Sequence, residues 1–182
     1  RERFKVNSFH HNMFISKSDG GINGGLGSSA AISVAIVAAL ARDAGKTMDR
    51  SEIAELAWEV ETKDLKLFGG KQDQYAAAHG GLNLFEFIKG KVEVNTYQRK
   101  YADGIMPGLV LFDTNTERVY PKIQESLKNL TPARKKTLDK IKDLVAPTIS
   151  AIGQSDIQAL GEILDTAWKY KKESNKVPTP RI

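Results

Sequence analysis

The sequence predicts an α+β fold, and three observations carry that prediction. An apolar, alanine-rich helical stretch follows the glycine-rich segment Gly20–Ala31. Two short alternating runs flank K-G-K at residues 89–91, and lysine-bearing amphipathic helices close the chain. The order of strand, helix, helix, strands, strand and helices lacks the regular alternation of a doubly wound parallel sheet.

Residues 3–16, R-F-K-V-N-S-F-H-H-N-M-F-I-S, read as one strand or a hairpin edge. His10 and His11 then point to opposite faces and cannot easily share one metal ion. Ser28 to about Ala44 reads as the first helix, with Ile32, Ile36 and Leu40 in helical register. A second helix opens at Asp49, where D-R-S-E puts a cap residue three before Glu52. Its expected buried stripe is Ile53, Leu56, Ala57 and Val60. Glu61 falls roughly 40° from Ala57 around that helix and reaches the interior margin, whereas Glu55 is expected to point to water.

A glycine turn, a short helical A-A-A segment and a second glycine pair lead to a hairpin of Leu82–Phe87 and Val92–Tyr97. Gly108 to Thr114, G-L-V-L-F-D-T, has the continuous apolar character of a strand buried on both faces. The last helix is expected to begin at S-D-I-Q, with Ser155 as cap and Gln158 replying. Prolines hold the final V-P-T-P-R-I extended.

A chain of 182 residues suffices for one ample core or two small lobes, and 41% hydrophobic with 27% charged residues argues against disorder. The absence of cysteine excludes disulfides and thiolate metal sites. No run is long and apolar enough to span a bilayer and no leader is visible, although the chain opens on Arg1; a cytoplasmic location is expected. The net charge of +5 comes largely from lysines in K-K-T-L-D-K-I-K-D and W-K-Y-K-K-E-S. Acidic residues interrupt both runs, which read as wet helix faces, so neither nucleic acid nor membrane is expected as a partner.

The glycine loop carries the chemistry. It lacks the lysine and serine or threonine that end a Walker A loop, and no buried strand precedes it as a dinucleotide fingerprint requires. Gly24, Gly25 and Gly27 let the backbone approach a polyanion, and the helix from Ser28 aims free N–H groups and its positive dipole end at it. Ser28 and Ser29 add hydroxyls for phosphate or Mg²⁺. The alternative is an ordinary loop ending in a serine N-cap. Asp73 in G-G-K-Q-D-Q-Y can serve a hydroxyl acceptor or cap a helix, and Glu61 can serve a metal or stand as a surface acid. Gln72 and Gln74 offer amides to a polyol, while Lys71 and Arg118 are candidate cations for a substrate phosphate.

G-G-L-G-S-S-A-A resembles the phosphate-binding motif of the GHMP kinases. Together with G-G-K-Q-D-Q-Y-A-A-A-H-G-G-L-N-L-F-E-F and S-N-K-V-P-T-P-R-I, it resembles the heptose kinases that phosphorylate D-glycero-D-manno-heptose 7-phosphate at the anomeric position. The resemblance implies a two-lobed GHMP-kinase fold, incomplete at both ends, with ATP and sugar meeting between the lobes. Residues 1–105 would be the remainder of the ATP-binding lobe and residues 106–182 the start of the C-terminal lobe. It further implies that Gly24, Gly25, Leu26, Gly27, Ser28, Ser29 and Ala30 wrap the phosphates of ATP. Ser29 or Ser28, with Glu61, would hold Mg²⁺, and Asp73 would be the catalytic aspartate. The expected partner is a small sugar or sugar phosphate, and a homodimer is compatible with the sequence. A kinase for galactose, fucose or mevalonate, or a catalytically silent relative, stands as the alternative. Gly21-Ile22-Asn23 replaces the family's usual Pro-Pro before the loop, His79 replaces its usual aromatic, and its N-terminal and C-terminal glycine-rich motifs are absent.

Overall fold

The computed structural model describes residues 26–67, 69–112 and 131–174. The expected N-terminal strand, His10, His11 and the proline-rich end lie outside these residues. The chain divides into two compact units, 1–96 and 97–182. They part between Thr96 and Tyr97.

In the first unit, α1 (Ser28–Asp43), α2 (Arg50–Glu59) and α3 (Gln72–His79) pack against one another, and α3 also meets β1 (Asn83–Ile88). Gly27 is the N-cap of α1 and adopts a left-handed backbone, φ 72°. At the other end Gly45, φ 66°, turns the chain so that the Lys46 amide donates back to the Ala41 carbonyl at 2.8 Å. The expected α1 stripe is displaced. Ala30, Val34, Val37 and Ala41 are the buried residues, and Ile32, Ile36 and Leu40 are half-buried. Small residues let α1 lie close to its neighbours, so the larger side chains occupy the margins of the contact.

The α2 capping box forms as the sequence predicts, with the Glu52 amide donating to Asp49 at 2.8 Å and the Asp49 amide to Glu52 at 2.7 Å. Ala57 is fully buried in a core with Val34, Val37 and Ala41, against which Ile53 and Leu56 pack. After Glu59 the helix widens into a π-helical turn, Val60–Asp64, in which the Leu65 amide donates to the Val60 carbonyl at 2.9 Å. The predicted hairpin is present: β1 pairs antiparallel with β2 (Lys91–Thr96) from Asn83↔Thr96 to Ile88↔Lys91. Its two-residue connection, Lys89-Gly90, uses a left-handed Gly90 at φ 86°.

The described elements of the second unit are helical: α4 (Arg99–Ile105) and a 3₁₀ turn, Met106–Gly108, and further along the chain α5 (Pro132–Asp143), α6 (Val145–Gln154) and α7 (Ile157–Ser174). Ile105, Ala151 and Leu160 form its core. Thr131 caps α5, and Pro147, which has no N–H for the Asp143 carbonyl, separates α5 from α6. Two expectations are corrected here. Asp156, not Ser155, caps α7 through the Ala159 amide at 2.9 Å, while Ser155 ends α6 in a left-handed conformation at φ 54°. Leu109 to Phe112, expected in a buried strand, are in no strand and are exposed, Phe112 by 81%. An apolar run is buried on two faces only between paired neighbours, and the described strands form a sheet of β1 and β2 alone.

Candidate active site

The α1 N-terminus and Asp73 meet. A Cβ placed on Gly27 would stand 3.9 Å from both Cβ and Cγ of Asp73. Forty-odd residues separate them in sequence, and the packing of α1 against α3 brings them together. Asp73 sits in the first turn of α3, two residues after the N-cap Lys71, and is exposed. Leu26 and Ser29 are exposed, Ser28 is half-buried and Ala30 is buried. Gly24, Gly25 and Arg118 lie outside the described residues.

Glu61 lies in the π-helical turn, the kind of local widening that often re-aims a side chain at a functional site. It is half-buried, as its angular position predicts, and both carboxylate oxygens are engaged. Ser33 Oγ donates to Oε1 at 2.5 Å, and Gln74 Nε2 donates to Oε2 at 2.7 Å. The serine that reaches Glu61 is thus Ser33, one turn beyond Ser29 on α1. Gln74, expected as a substrate ligand, is 3% exposed and aims its amide at Glu61, whereas Gln72 is exposed.

The oxygen donors fit a hard divalent cation. Mg²⁺ takes one or two carboxylates, keeps several waters and leans on substrate phosphates. Glu61, with the Ser33 hydroxyl of α1 on one of its oxygens, offers a carboxylate of this kind, and Gln74 Oε1 is a buried acceptor with no hydrogen-bond partner among the described residues. No group of three or more His, Cys, Asp or Glu assembles among the described residues.

The approach to α3 is stiffened by a network that sequence reasoning missed. Glu55, expected in water, accepts from Lys71 Nζ at 2.5 Å and from the Tyr75 hydroxyl at 3.1 Å. Lys71 also lies 4.2 Å from the centre of the Trp58 ring, and Trp58 Nε1 donates to the Gly69 carbonyl at 3.2 Å. The signal was available, since Glu55 precedes Trp58 by three residues and shares its helix face. Burial and the Glu55 carboxylate push the Tyr75 phenol up to about 12.

His79 fills an aromatic position. It stacks on Tyr75 at 6.0 Å and meets Phe85 edge-on, while its Nε2 lies 3.2 Å from Ser51 Oγ. Burial, then the Arg50 cation, hold its pKa below the usual 6.5, with Asp49 partly opposing.

Residues 2–81 match the family described as GHMP kinases N terminal domain. The chain is 35% identical over 153 residues to a D-glycero-alpha-D-manno-heptose 7-phosphate kinase from Campylobacter jejuni, covering 81% of this chain and 45% of that protein. It also resembles the crystal structure of a D-glycero-D-manno-heptose 1-phosphate kinase from Bacteriodes thetaiotaomicron, with 34% identity and a TM-score of 0.65, over 82% of this chain and 44% of that one. The chain therefore spans a little under half the length of these relatives. No described helix is long and apolar enough to cross a membrane. Motif, fold and identity converge in their likeness: residues 2–81 match the GHMP kinase N-terminal domain, and about four-fifths of the chain is similar to heptose phosphate kinases.

Proposed function

We propose that this chain carries the nucleotide and catalytic groups of an ATP- and Mg²⁺-dependent sugar kinase. The observation that supports this most is the placement of Asp73 beside the N-cap glycine of α1. An anion bound at a helix N-terminus meets free N–H groups and the positive dipole end. A carboxylate next to that point is where an acceptor hydroxyl must be held for in-line transfer.

In this reading the backbone from Gly24 to Ala30 holds the ATP phosphates, and Glu61 with Ser29 or Ser28 holds Mg²⁺. The cation, when bound, neutralises charge building on the transferring phosphoryl group. Asp73 orients the sugar hydroxyl and takes its proton as the oxygen bonds to the γ-phosphorus. The bond to the β-phosphate oxygen breaks, ADP leaves, and Asp73 returns the proton to solvent.

For the acceptor we propose heptose 7-phosphate, phosphorylated at its anomeric hydroxyl. One relative's name puts a phosphate at carbon 7 and the other's at carbon 1. Transfer to the anomeric hydroxyl of the 7-phosphate gives a product phosphorylated at both carbons. Lys71 donates one N–H to Glu55 and keeps others, and either Lys71 or Arg118 is the proposed contact for the existing phosphate.

The test is titration of ATP with and without Mg²⁺, followed by transfer of labelled phosphate to a panel of heptose, heptose 7-phosphate, galactose, fucose and mevalonate. Metal-dependent ATP binding with transfer to the 7-phosphate is expected. Binding without transfer to any acceptor would instead support a silent binding module.

A further inference from the structure

Helix α3 carries, beside Asp73, a polar side chain that this chemistry leaves unused. Gln74 is 3% exposed, and burying an amide is costly unless its hydrogen bonds are made. One is made: Nε2 donates to Glu61 Oε2 at 2.7 Å. The other oxygen of Glu61 is fixed from a different helix, by Ser33 Oγ at 2.5 Å. Each carboxylate oxygen thus holds one donor and retains acceptor capacity for a cation. Gln74 Oε1 is left buried with no partner among the described residues, and a hydrated cation would bring O–H donors.

Adjacent residues on a helix point about 100° apart. Asp73 therefore faces the α1 N-terminus while Gln74 faces Glu61, and one short helix addresses both carboxylate functions. Resting on the kinase reading above, we infer that Gln74, together with Ser33, is a positioning residue for the metal-holding Glu61. Gln74 fixes the direction of the Glu61 carboxylate relative to Asp73 and keeps it from turning to solvent. Donors of this kind around a metal ligand typically change metal affinity by about 10–100-fold when removed.

The experiment uses the chain with Gln74→Met, which keeps volume and removes the amide, and with Ser33→Ala. Mn²⁺ binding in the presence of ATP is read from the loss of the free-ion paramagnetic resonance signal. ATP binding without divalent metal is measured alongside, and helical signal checks folding. Gln74→Met should weaken Mn²⁺ about 10–100-fold and Ser33→Ala should act in the same direction, with metal-free ATP binding unchanged. Folded variants that bind Mn²⁺ like the parent overturn the inference alone. An equal loss of metal-free ATP binding also overturns it, because Gln74 would then act only through packing. If Gln74→Met does not fold, Ser33→Ala carries the test by the same criteria. A parent chain that binds no ATP overturns the kinase reading, and the inference with it.

Discussion

Replacing Gly27 separates the two reasons for a glycine at the head of α1. Its φ of 72° lies in the left-handed region, where an L-residue costs roughly 1–2 kcal/mol. A single added Cβ would meet Asp73 at 3.9 Å, an ordinary van der Waals contact, so alanine suffers the backbone penalty without a clash there. Valine adds two γ-carbons that project into the space next to Asp73, where a phosphate must approach the helix end. Gly27→Ala should therefore lower the stability of the first unit by about 1–2 kcal/mol. Gly27→Val should in addition weaken Mg·ATP binding at least about tenfold, equivalent to ~1.4 kcal/mol. Urea unfolding followed by Trp58 fluorescence, in a Trp168→Phe background so that one unit reports, measures the first effect. Titration calorimetry measures the second. If Gly27→Val binds Mg·ATP like the parent, the phosphates do not sit at the α1 N-terminus, and the reasoning that joins Gly27 to Asp73 fails.

Asp73→Asn, in chain that transfers phosphate, should lower kcat by roughly 10²–10⁴ while ATP affinity holds, as steady-state kinetics and titration would show. Near-normal turnover would remove Asp73 from the mechanism. Ser155→Gly should raise the stability of the second unit by about 1 kcal/mol in a thermal or urea melt, because φ 54° suits glycine; no gain would mean that the serine hydroxyl offsets the backbone cost. His79 has a folded pKa depressed below 6.5, so the unfolded chain takes up a proton first as the pH falls. Its contribution is complete above that value and lost toward the folded pKa. Urea melts at a series of pH values should show a shallower loss of stability below pH 6.5 for His79→Phe than for the parent; identical profiles would refute the assignment.

Features written into short stretches of sequence were legible. Asp49 and Glu52 form their capping box because both partners lie within one helical turn, and the Lys89-Gly90 turn sets its hairpin for the same reason. Glu61 falls at the interior margin, as its angular distance from Ala57 on a regular helix implies, although the π-helical turn that carries it was not legible. Features that depend on packing between elements were less visible. The α1 stripe shifted to Ala30, Val34, Val37 and Ala41 because close helix contact selects for small side chains over bulk. Glu55 is half-buried and bonded because Lys71, the N-cap of α3, and Tyr75 within it reach it from well over a helical turn away in sequence. Helix α4 went unread because Gly104 breaks its pattern; that glycine admits Ser155, whose Oγ would stand 2.2 Å from a Cβ there. At the site, Asp73 was recognisable from its motif, but its proximity to Gly27 and the part played by Gln74 follow only from the α1–α3 contact.

Amide hydrogen exchange with and without ATP and Mg²⁺ tests the central claim most directly, because it locates the ligand on the chain. The account predicts new protection over residues 26–34 and 72–79, where the α1 N-terminus meets Asp73 and Gln74, with the 3₁₀ turn and helices of the second unit little changed. Binding that protects neither segment, or protects only residues 97–182, would contradict it.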